Sequence, residues 1–200
     1  PDARYQVRYV KASRLSRRDL CKEIAVSLGI DPAGAVPAVI RRLQERFVLQ
    51  SANEGTRPVL LLDEAHELRP ETLDLLRILT NFEMDSRLVL SIVLAGQPYL
   101  QVMLRSQTHD AVLRRLSHIS TLRLLAGNEI SDYIAFRCAI AGSSQQLFAP
   151  SAIDAMADMT RGNLRAIDQL ALKCLEVAHD AGRDVVDANH VVLARKQVMP

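Results

Sequence analysis

The sequence predicts an α/β protein in which a parallel, doubly wound sheet is followed by a small helical subdomain. Three observations predict this fold. The aliphatic run at residues 59–62 is typical of a buried parallel strand. Strand-like and helix-like segments alternate as far as residue 124, as in a sheet with crossover helices. From Asn128 onward only helical patterns occur, so we predict two units, residues 1–126 and 127–200.

Local signals place the elements of the sheet unit. Ser16 begins the first helix, with Asp19 in the position of a capping box, and Gly29 ends it. Pro70 opens a later helix. Hydrophobic periodicity places the other elements. These are a helix at residues 36–51 and strands at residues 6–11, 88–95 and 118–124.

The second unit is predicted to hold four helices. Ser151 and Asp187 are the expected caps of two of them, and Gly142 and Gly182 are the expected stops of two. The predicted helices are at residues 129–141, 150–160, 164–181 and 187–198.

Composition narrows the class of protein. A net charge of +2 does not by itself indicate nucleic-acid binding, and 48% hydrophobic content can fill a sizeable core. No apolar run approaches the roughly 18 residues needed to cross a bilayer. The histidines form no ligand pair, so we expect no metal site made of protein groups alone. Widely spaced cysteines, Cys21, Cys138 and Cys174, favour reduced thiols in a cytoplasmic protein.

Two adjacent carboxylates, Asp63 and Glu64, end the aliphatic strand. The carboxyl ends of strands in open α/β sheets are where ligands bind. In nucleotide hydrolases of the P-loop class, a carboxylate such as Asp63 holds Mg²⁺ through its water shell, and one such as Glu64 orients or deprotonates the attacking water. The alternative is a strand that merely ends in a polar, helix-capping pair.

No glycine in the sequence is followed by lysine, so the phosphate-binding loop G-x-x-x-x-G-K followed by Ser or Thr does not occur. Either the chain is not a P-loop enzyme, or it begins after that loop. A first residue that is not Met and a strand pattern from residue 6 favour the second interpretation, a fragment.

Three segments, residues 60–66, 93–100 and 162–165, carry a family resemblance. Together they resemble an AAA+ ATPase from its second strand to its C-terminal lid. More narrowly, they resemble the bacterial general secretion pathway protein A type and the related ATPases that help transposases choose target DNA. The resemblance covers nearly the whole chain and implies ATP and Mg²⁺ as cofactors and self-association in a ring or filament.

The resemblance implies roles for three further residues. Gln97, at the tip of the strand beside the carboxylates, takes the first sensor position, which contacts the γ-phosphate or attacking water; otherwise it is a turn residue before a proline. Arg115 takes the arginine-finger position toward a neighbouring subunit, with Arg114 not excluded; otherwise the pair ends a helix. Arg165 takes the second sensor position in the lid; otherwise it is a surface residue.

His66 completes the letters D-E-A-H, which also mark a class of helicases. Those helicases also need a Ser-Ala-Thr motif, and a glutamine- and arginine-rich motif in a second α/β domain. Neither motif occurs in this sequence. We therefore interpret His66 as a positioning or solvent-facing residue. Two basic clusters could contact duplex phosphates, or could simply be solvated. They are Arg14, Arg17 and Arg18, and Arg41, Arg42 and Arg46.

The resemblance predicts an ATP-hydrolysing AAA+ ATPase that assists DNA transposition or target selection by nucleotide-controlled oligomerisation, with duplex DNA and a transposase as partners. One alternative is a secretion-pathway ATPase that acts at the inner membrane with secretion-machinery proteins. Another is a non-hydrolysing interaction module of the same fold.

A fragment without the first strand would have two exposed strand edges. We therefore expect dimerisation, strand exchange or collapse onto another segment, and weak or absent ATP binding.

Overall fold

The computed structural model describes residues 4–53, 56–82, 89–106 and 109–198. The chain divides into two compact units, residues 1–119 and 120–200. Residues 120–126 contain neither helix nor strand. The boundary that the sequence places between residues 126 and 127 stays a prediction.

The first unit contains a three-stranded parallel sheet in the order β1-β2-β3. The strands are β1 (Tyr5–Lys11), β2 (Arg57–Asp63) and β3 (Ser91–Leu94). Within the described residues, no strand pairs with the outer edge of β3. The predicted parallel α/β fold is confirmed, but the predicted double winding is not, because the described helices cover only one face of the sheet.

Helices follow each strand, as the crossover pattern requires. Ser16 caps α1 as predicted, because its Oγ accepts a hydrogen bond from the Asp19 N–H at 3.2 Å. Gly29 follows the helix with φ of +68°, a left-handed conformation that glycine adopts without strain. The helices are α1 (Arg17–Ser27), α2 (Val36–Asn53), α3 (Pro70–Thr80), α4 (Tyr99–Leu104) and α5 (Asp110–Leu113), with a 3₁₀ turn at Ala65–Glu67.

The two faces of the sheet differ in burial. Leu60 and Leu62 of β2 are buried in the core that α1, α2 and α3 also form. Right-handed crossovers that step across the sheet in one direction put their helices on the same face. The alternate side chains lie on the opposite face, where Val7 is 58%, Tyr9 56% and Val93 47% exposed. This opposite face is apolar and uncovered within the described residues.

The prediction of a fourth strand at residues 118–124 is wrong. This segment forms no strand, and all of its side chains are exposed, with Leu122 at 96%. A strand needs a neighbour for its backbone hydrogen bonds, and residues 118–124 pair with none of the described strands. The third strand is also shorter than the predicted 88–95. Residues 89 and 90 are described but lie outside β3, and residue 88 lies outside the described residues.

The described part of the second unit, residues 120–198, holds four helices around their own core. These are α6 (Gly127–Ile140), α7 (Pro150–Thr160), α8 (Leu164–Asp180) and α9 (Ala188–Val198). Their buried side chains include Ile130, Met156, Ile167, Leu170 and Val191. The four predicted helices are confirmed to within a few residues at each end.

Most of the predicted caps of this unit are confirmed. The Asp187 Oδ1 accepts hydrogen bonds from the Asn189 and His190 N–H groups, at 2.9 and 3.1 Å. Gly142 and Gly182 have φ of +89° and +66° just beyond their helices. Ser151 is not a cap, because α7 begins one residue earlier with Pro150 at its first position, where proline needs no hydrogen-bond donor.

All three cysteines lie in helices as free thiols. Burial raises the pKa of Cys21 to about 11 and that of Cys174 to about 12. Cys138 is only partly buried. Among the described helices, none is long and apolar enough to cross a membrane.

Candidate nucleotide-hydrolysis site

Asp63 is the last residue of β2, and its carboxylate is held on both oxygens. The Tyr9 hydroxyl on the neighbouring strand donates to Oδ2 at 3.0 Å, and the Glu64 N–H donates to Oδ1 at 2.8 Å. The hydrogen bond that Tyr9 donates to Asp63 raises the pKa of Tyr9, because losing the phenol proton would break this bond and place two negative charges together. The carboxylate of Asp63 is therefore fixed in direction at the carboxyl edge of the sheet.

Glu64 turns the chain out of the strand. Its backbone is left-handed, with φ of 55° and ψ of 32°, which is uncommon for a residue with a side chain. Such a conformation costs on the order of 1–3 kcal/mol and persists only where neighbouring contacts hold it. One such contact is the hydrogen bond from the Ala65 N–H to the Ala95 carbonyl, at 2.9 Å. The Glu64 side chain remains 39% exposed.

His66 lies between the ends of β2 and β3. Its side chain is 10% exposed, and its Nδ1 accepts a hydrogen bond from the Gln97 N–H at 3.3 Å. The same nitrogen lies 3.6 Å from Glu64 Oε2. Of the two interpretations of His66, the positioning residue fits this burial and the solvent-facing residue does not.

Gln97 comes three residues after β3, in the segment that joins the strand to α4. Its side chain is exposed, and its carbonyl accepts the hydrogen bond from the Leu100 N–H that opens the helix. The structure thus brings Asp63, Glu64 and Gln97 to one edge of the sheet. It does so through His66 and through the Ala65–Ala95 backbone contact.

Arg115 lies elsewhere in the same unit. Its Nη1 donates to the Thr80 hydroxyl, at 3.3 Å, where α3 ends. α3 begins beyond the carboxyl edge of the sheet and has 11 residues, so its two ends are roughly 16 Å apart. The structure therefore does not place Arg115 beside its own Asp63 and Glu64. Arg114 is engaged by Asp110 one turn earlier, at 2.7 Å.

Arg165 lies in the second unit, on the first turn of α8, with its side chain exposed. Gly162 precedes it with φ of +78°, and a β-carbon there would meet the Leu125 carbonyl oxygen at 2.1 Å. The Asn163 side chain caps α8 by accepting from the Ala166 N–H at 3.1 Å. Glycine and asparagine thus set the direction from which the helix and Arg165 start.

The sequence matches the AAA domain family over residues 3–104, which is more than half of the chain. The chain belongs to this family. It is 30% identical over 195 residues to a curated relative, general secretion pathway protein A of Aeromonas hydrophila, covering 96% of this chain and 36% of the relative. The chain therefore spans about a third of that relative's length. The predicted resemblance to the AAA+ ATPases of the general secretion pathway protein A type is confirmed.

Solved structures show the same fold. The Aeropyrum pernix ORC2 protein, in its ADPNP–ADP complexes, has a TM-score of 0.71 and 15% identity, over 98% of this chain and 53% of that one. The A. pernix ORC1 protein in complex with DNA has a TM-score of 0.70 and 20% identity, over 98% of this chain and 51% of that one. At these identities the likeness establishes the fold alone.

The carboxylate of Asp63 fits the magnesium ion that AAA+ ATPases carry with their nucleotide. In the part of the chain that the structure describes, each of its oxygens accepts one hydrogen bond, and a carboxylate oxygen has two lone pairs, so both oxygens can still accept from metal-bound water. Within the described residues, no group of three His, Cys, Asp or Glu side chains could hold an ion directly. The donor set of this AAA protein therefore suits a hydrated Mg²⁺ shared with phosphate oxygens.

Three arginines of the two basic clusters of this AAA protein lie close to partners within the chain. The Arg14 Nε lies 3.9 Å from Glu67 Oε2, and the Arg41 Nε lies 3.9 Å from Glu45 Oε1. Arg42 bonds the Ala33 carbonyl and lies 3.8 Å from Asp31. DNA contact by either cluster stays a prediction.

Sequence reasoning missed Tyr9 as a member of this site. In a strand with alternating apolar and polar residues, a tyrosine is ordinarily interpreted as a packing residue. Its hydroxyl reaches Asp63 because the strand register pairs Tyr9 with Leu61. The only available signal was that the strand is aromatic and polar on one face. Register is a long-range property that hydrophobic alternation in one strand does not fix.

Proposed function

We propose that the intact protein is an AAA+ ATPase that hydrolyses ATP at the carboxyl edge of its sheet. The observation that supports this most strongly is the convergence of Asp63, Glu64 and Gln97 at that edge, with the Asp63 carboxylate held in place from two sides. A strand that merely ended in a polar pair would not need this set of contacts. The left-handed backbone of Glu64 is a further feature of functional sites.

Each residue has a distinct role in the proposal. Bound Mg²⁺ supplies charge neutralisation for the phosphates, and Asp63 holds its water shell. Glu64, part-exposed and anionic, orients the attacking water and accepts its proton. Gln97 donates its side-chain amide to the γ-phosphate or to that water.

Two arginines complete the proposed site. Arg115, which lies away from its own carboxylates, serves the nucleotide of a neighbouring subunit, and this requires self-association in a ring or filament. Arg165 contacts the nucleotide from the lid and links nucleotide state to lid position. Both roles rest on the family resemblance and on where each residue lies within its own unit.

For the biological setting, we propose nucleotide-controlled oligomerisation in the cytoplasm that assists DNA transposition or target selection, with duplex DNA and a transposase as partners. The exposed arginines at residues 17 and 18 are available to duplex phosphates. A second candidate is favoured by the 30% identical relative, whose name places it in general secretion. In that setting the ATPase acts at the inner membrane on secretion-machinery proteins.

The test is ATP hydrolysis by the full-length protein and its Glu64→Gln variant, with and without duplex DNA. Glutamine keeps the size of the side chain but cannot take a proton, so we expect turnover to fall by about 10² or more. Turnover that DNA raises supports the transposition setting, and turnover indifferent to DNA supports secretion. Equal turnover in both proteins would reject Glu64 as the base. Absence of turnover in the wild type would reject the proposed hydrolysis and support the alternative, a non-hydrolysing interaction module.

A further inference from the structure

The imidazole of His66 stands between the two groups that the proposed reaction needs to act together. Its Nδ1 accepts from the Gln97 N–H at 3.3 Å and lies 3.6 Å from Glu64 Oε2. The His66 side chain is 10% exposed, whereas its partners Glu64 and Gln97 are accessible to solvent, so both contacts lie at the surface edge of the protein. His66 is thus the side chain through which the end of β3 touches the residue that follows β2.

The hydrogen bond from Gln97 decides what the ring presents to Glu64. A backbone N–H can only donate, so Nδ1 carries a lone pair and the ring proton is on Nε2. At 3.6 Å, the Nδ1 and Oε2 atoms are beyond hydrogen-bond distance. The Glu64 carboxylate is therefore neighboured by His66 but not bonded to it, and its lone pairs stay available to a water molecule.

Gly96 makes this close approach possible. A β-carbon at residue 96 would lie 3.1 Å from the His66 N and 3.2 Å from its Nδ1. The backbone of Gly96 is not in the left-handed region, so the effect of a β-carbon here would be crowding, which the neighbouring atoms would have to relieve by a few tenths of an ångström. The contact thus depends on a residue after each strand. His66 after β2 provides the imidazole, and Gly96 after β3 has no side chain in its way.

We propose that His66 is a positioning residue that couples Gln97 to Glu64, so that a shift of the Gln97 segment toward or away from nucleotide moves the ring that abuts the general base. The inference rests on the proposed hydrolysis by Glu64. His66 takes no proton from water and touches no phosphate. By lying against the carboxylate it limits the positions that Glu64 can take, and a misplacement of about 1 Å at a reacting group can cost on the order of 10² in rate.

Kinetics of the full-length protein provide the first test. We expect His66→Ala to lower kcat by about tenfold to a hundredfold, with the KM for ATP changed by less than about twofold, because ground-state binding is untouched. His66→Asn should recover most of the lost turnover, since its Oδ1 can accept from Gln97 where Nδ1 does. The control is His179→Ala, an exposed histidine near the end of α8, which should behave as wild type.

A double-mutant cycle with Gly96 sharpens the test. Gly96→Ala pushes the ring away and should lower kcat in the same direction as His66→Ala. The two changes act on one contact, so the double variant should be no slower than the slower single variant. Three results would each overturn the proposal. They are additive losses of kcat in the double variant, a change in the KM for ATP alone, or equal losses of kcat in His66→Ala and His66→Asn.

Hydrogen exchange of the Gln97 amide tests the coupling without any turnover. In the 200-residue chain, the loss of one hydrogen bond should speed exchange of this amide by about threefold to tenfold in His66→Ala and restore it in His66→Asn. Unchanged exchange would overturn the proposal. If the wild type hydrolyses no ATP but exchange responds as expected, the proposed hydrolysis fails while the contact between His66 and Gln97 stands.

Discussion

The two units of this protein differ in how far each is determined by neighbouring residues along the chain. In the helical unit, the four helices lie where caps and stops such as Asp187 and Gly182 predict. In the sheet unit, residues 118–124 have the composition of a strand and form none. A helix satisfies its backbone from within, whereas a strand depends on a partner that the local sequence does not supply.

The contrast extends to burial. The second unit encloses a core of its own, in which Leu170 and Met156 are fully buried. Within the described residues, the sheet of the first unit encloses apolar side chains on one face only, and the other face presents Val7, Tyr9 and Val93 to solvent. Parallel sheets are ordinarily covered on both faces. A unit whose sheet is covered on one face only is expected to be the less stable of the two.

The largest expected effect comes from the core of the helical unit. Leu170→Ala should lower the free energy of unfolding by about 2–5 kcal/mol, because it removes a fully buried side chain and leaves a cavity. The matched control is Leu122→Ala, where the side chain is 96% exposed and little change is expected. Urea unfolding of both variants measures the difference. A large loss at Leu122 would show that the 118–124 segment is packed after all.

The next effect tests whether a single contact within the helical unit is obligatory. Gly162→Ala should destabilise by about 2–3 kcal/mol, because a β-carbon meets the Leu125 carbonyl oxygen at 2.1 Å and the backbone φ is +78°. Gly182→Ala shares the positive φ but has nothing within 4 Å, so it should cost only about 1 kcal/mol. Thermal unfolding midpoints measure both. Equal losses would mean that conformation, and not contact, fixes Gly162.

The stability of the helical unit should depend on pH through one carboxylate. Arg123 bonds Glu129 through both oxygens at 2.6 Å, and the Ala126 N–H adds a third bond, which together lower the pKa of Glu129 to about 2 from an ordinary 4.5. A lowered pKa stabilises the folded state at pH above about 4.5, and that contribution is lost as pH falls toward 2. Glu129→Gln should therefore be less stable than wild type at neutral pH and nearly equal to it near pH 2. A pH-independent difference would contradict the assignment.

The smallest expected effect concerns Tyr9 on the uncovered side of the sheet. Asp63→Asn should lower the raised pKa of Tyr9 toward its ordinary value of 10.0, because the negative partner of the phenol is gone. Comparison of tyrosinate absorbance during alkaline titration of the two proteins measures the shift. In a protein that already carries Tyr9→Phe, adding Asp63→Asn should leave the alkaline titration unchanged. A titration unaffected by Asp63→Asn would show that Asp63 does not raise the pKa of Tyr9.

The sequence predicted most of the fold and only part of the candidate site. Asp63, Glu64 and Gln97 were predicted because each lies at or just beyond the end of a strand, and strand ends meet at one edge of a parallel sheet. His66 could be named but not placed, and Tyr9 was missed, since both act through contacts between segments far apart in the chain. The false strand at residues 118–124 has the same origin, because its alternating apolar residues say nothing about whether a neighbour is present.

The contact between Gly162 and Leu125 changes how the tetrapeptide at residues 162–165 should be used as a sequence marker. The glycine is explained by a backbone approach inside the helical unit and the asparagine by a helix cap, neither of which involves nucleotide. A protein that had lost its ATP site could keep both for the sake of its fold. Of the four letters, only the arginine at residue 165 has a proposed role at the nucleotide, so a search that tests this proposal should weight that position and discount the glycine.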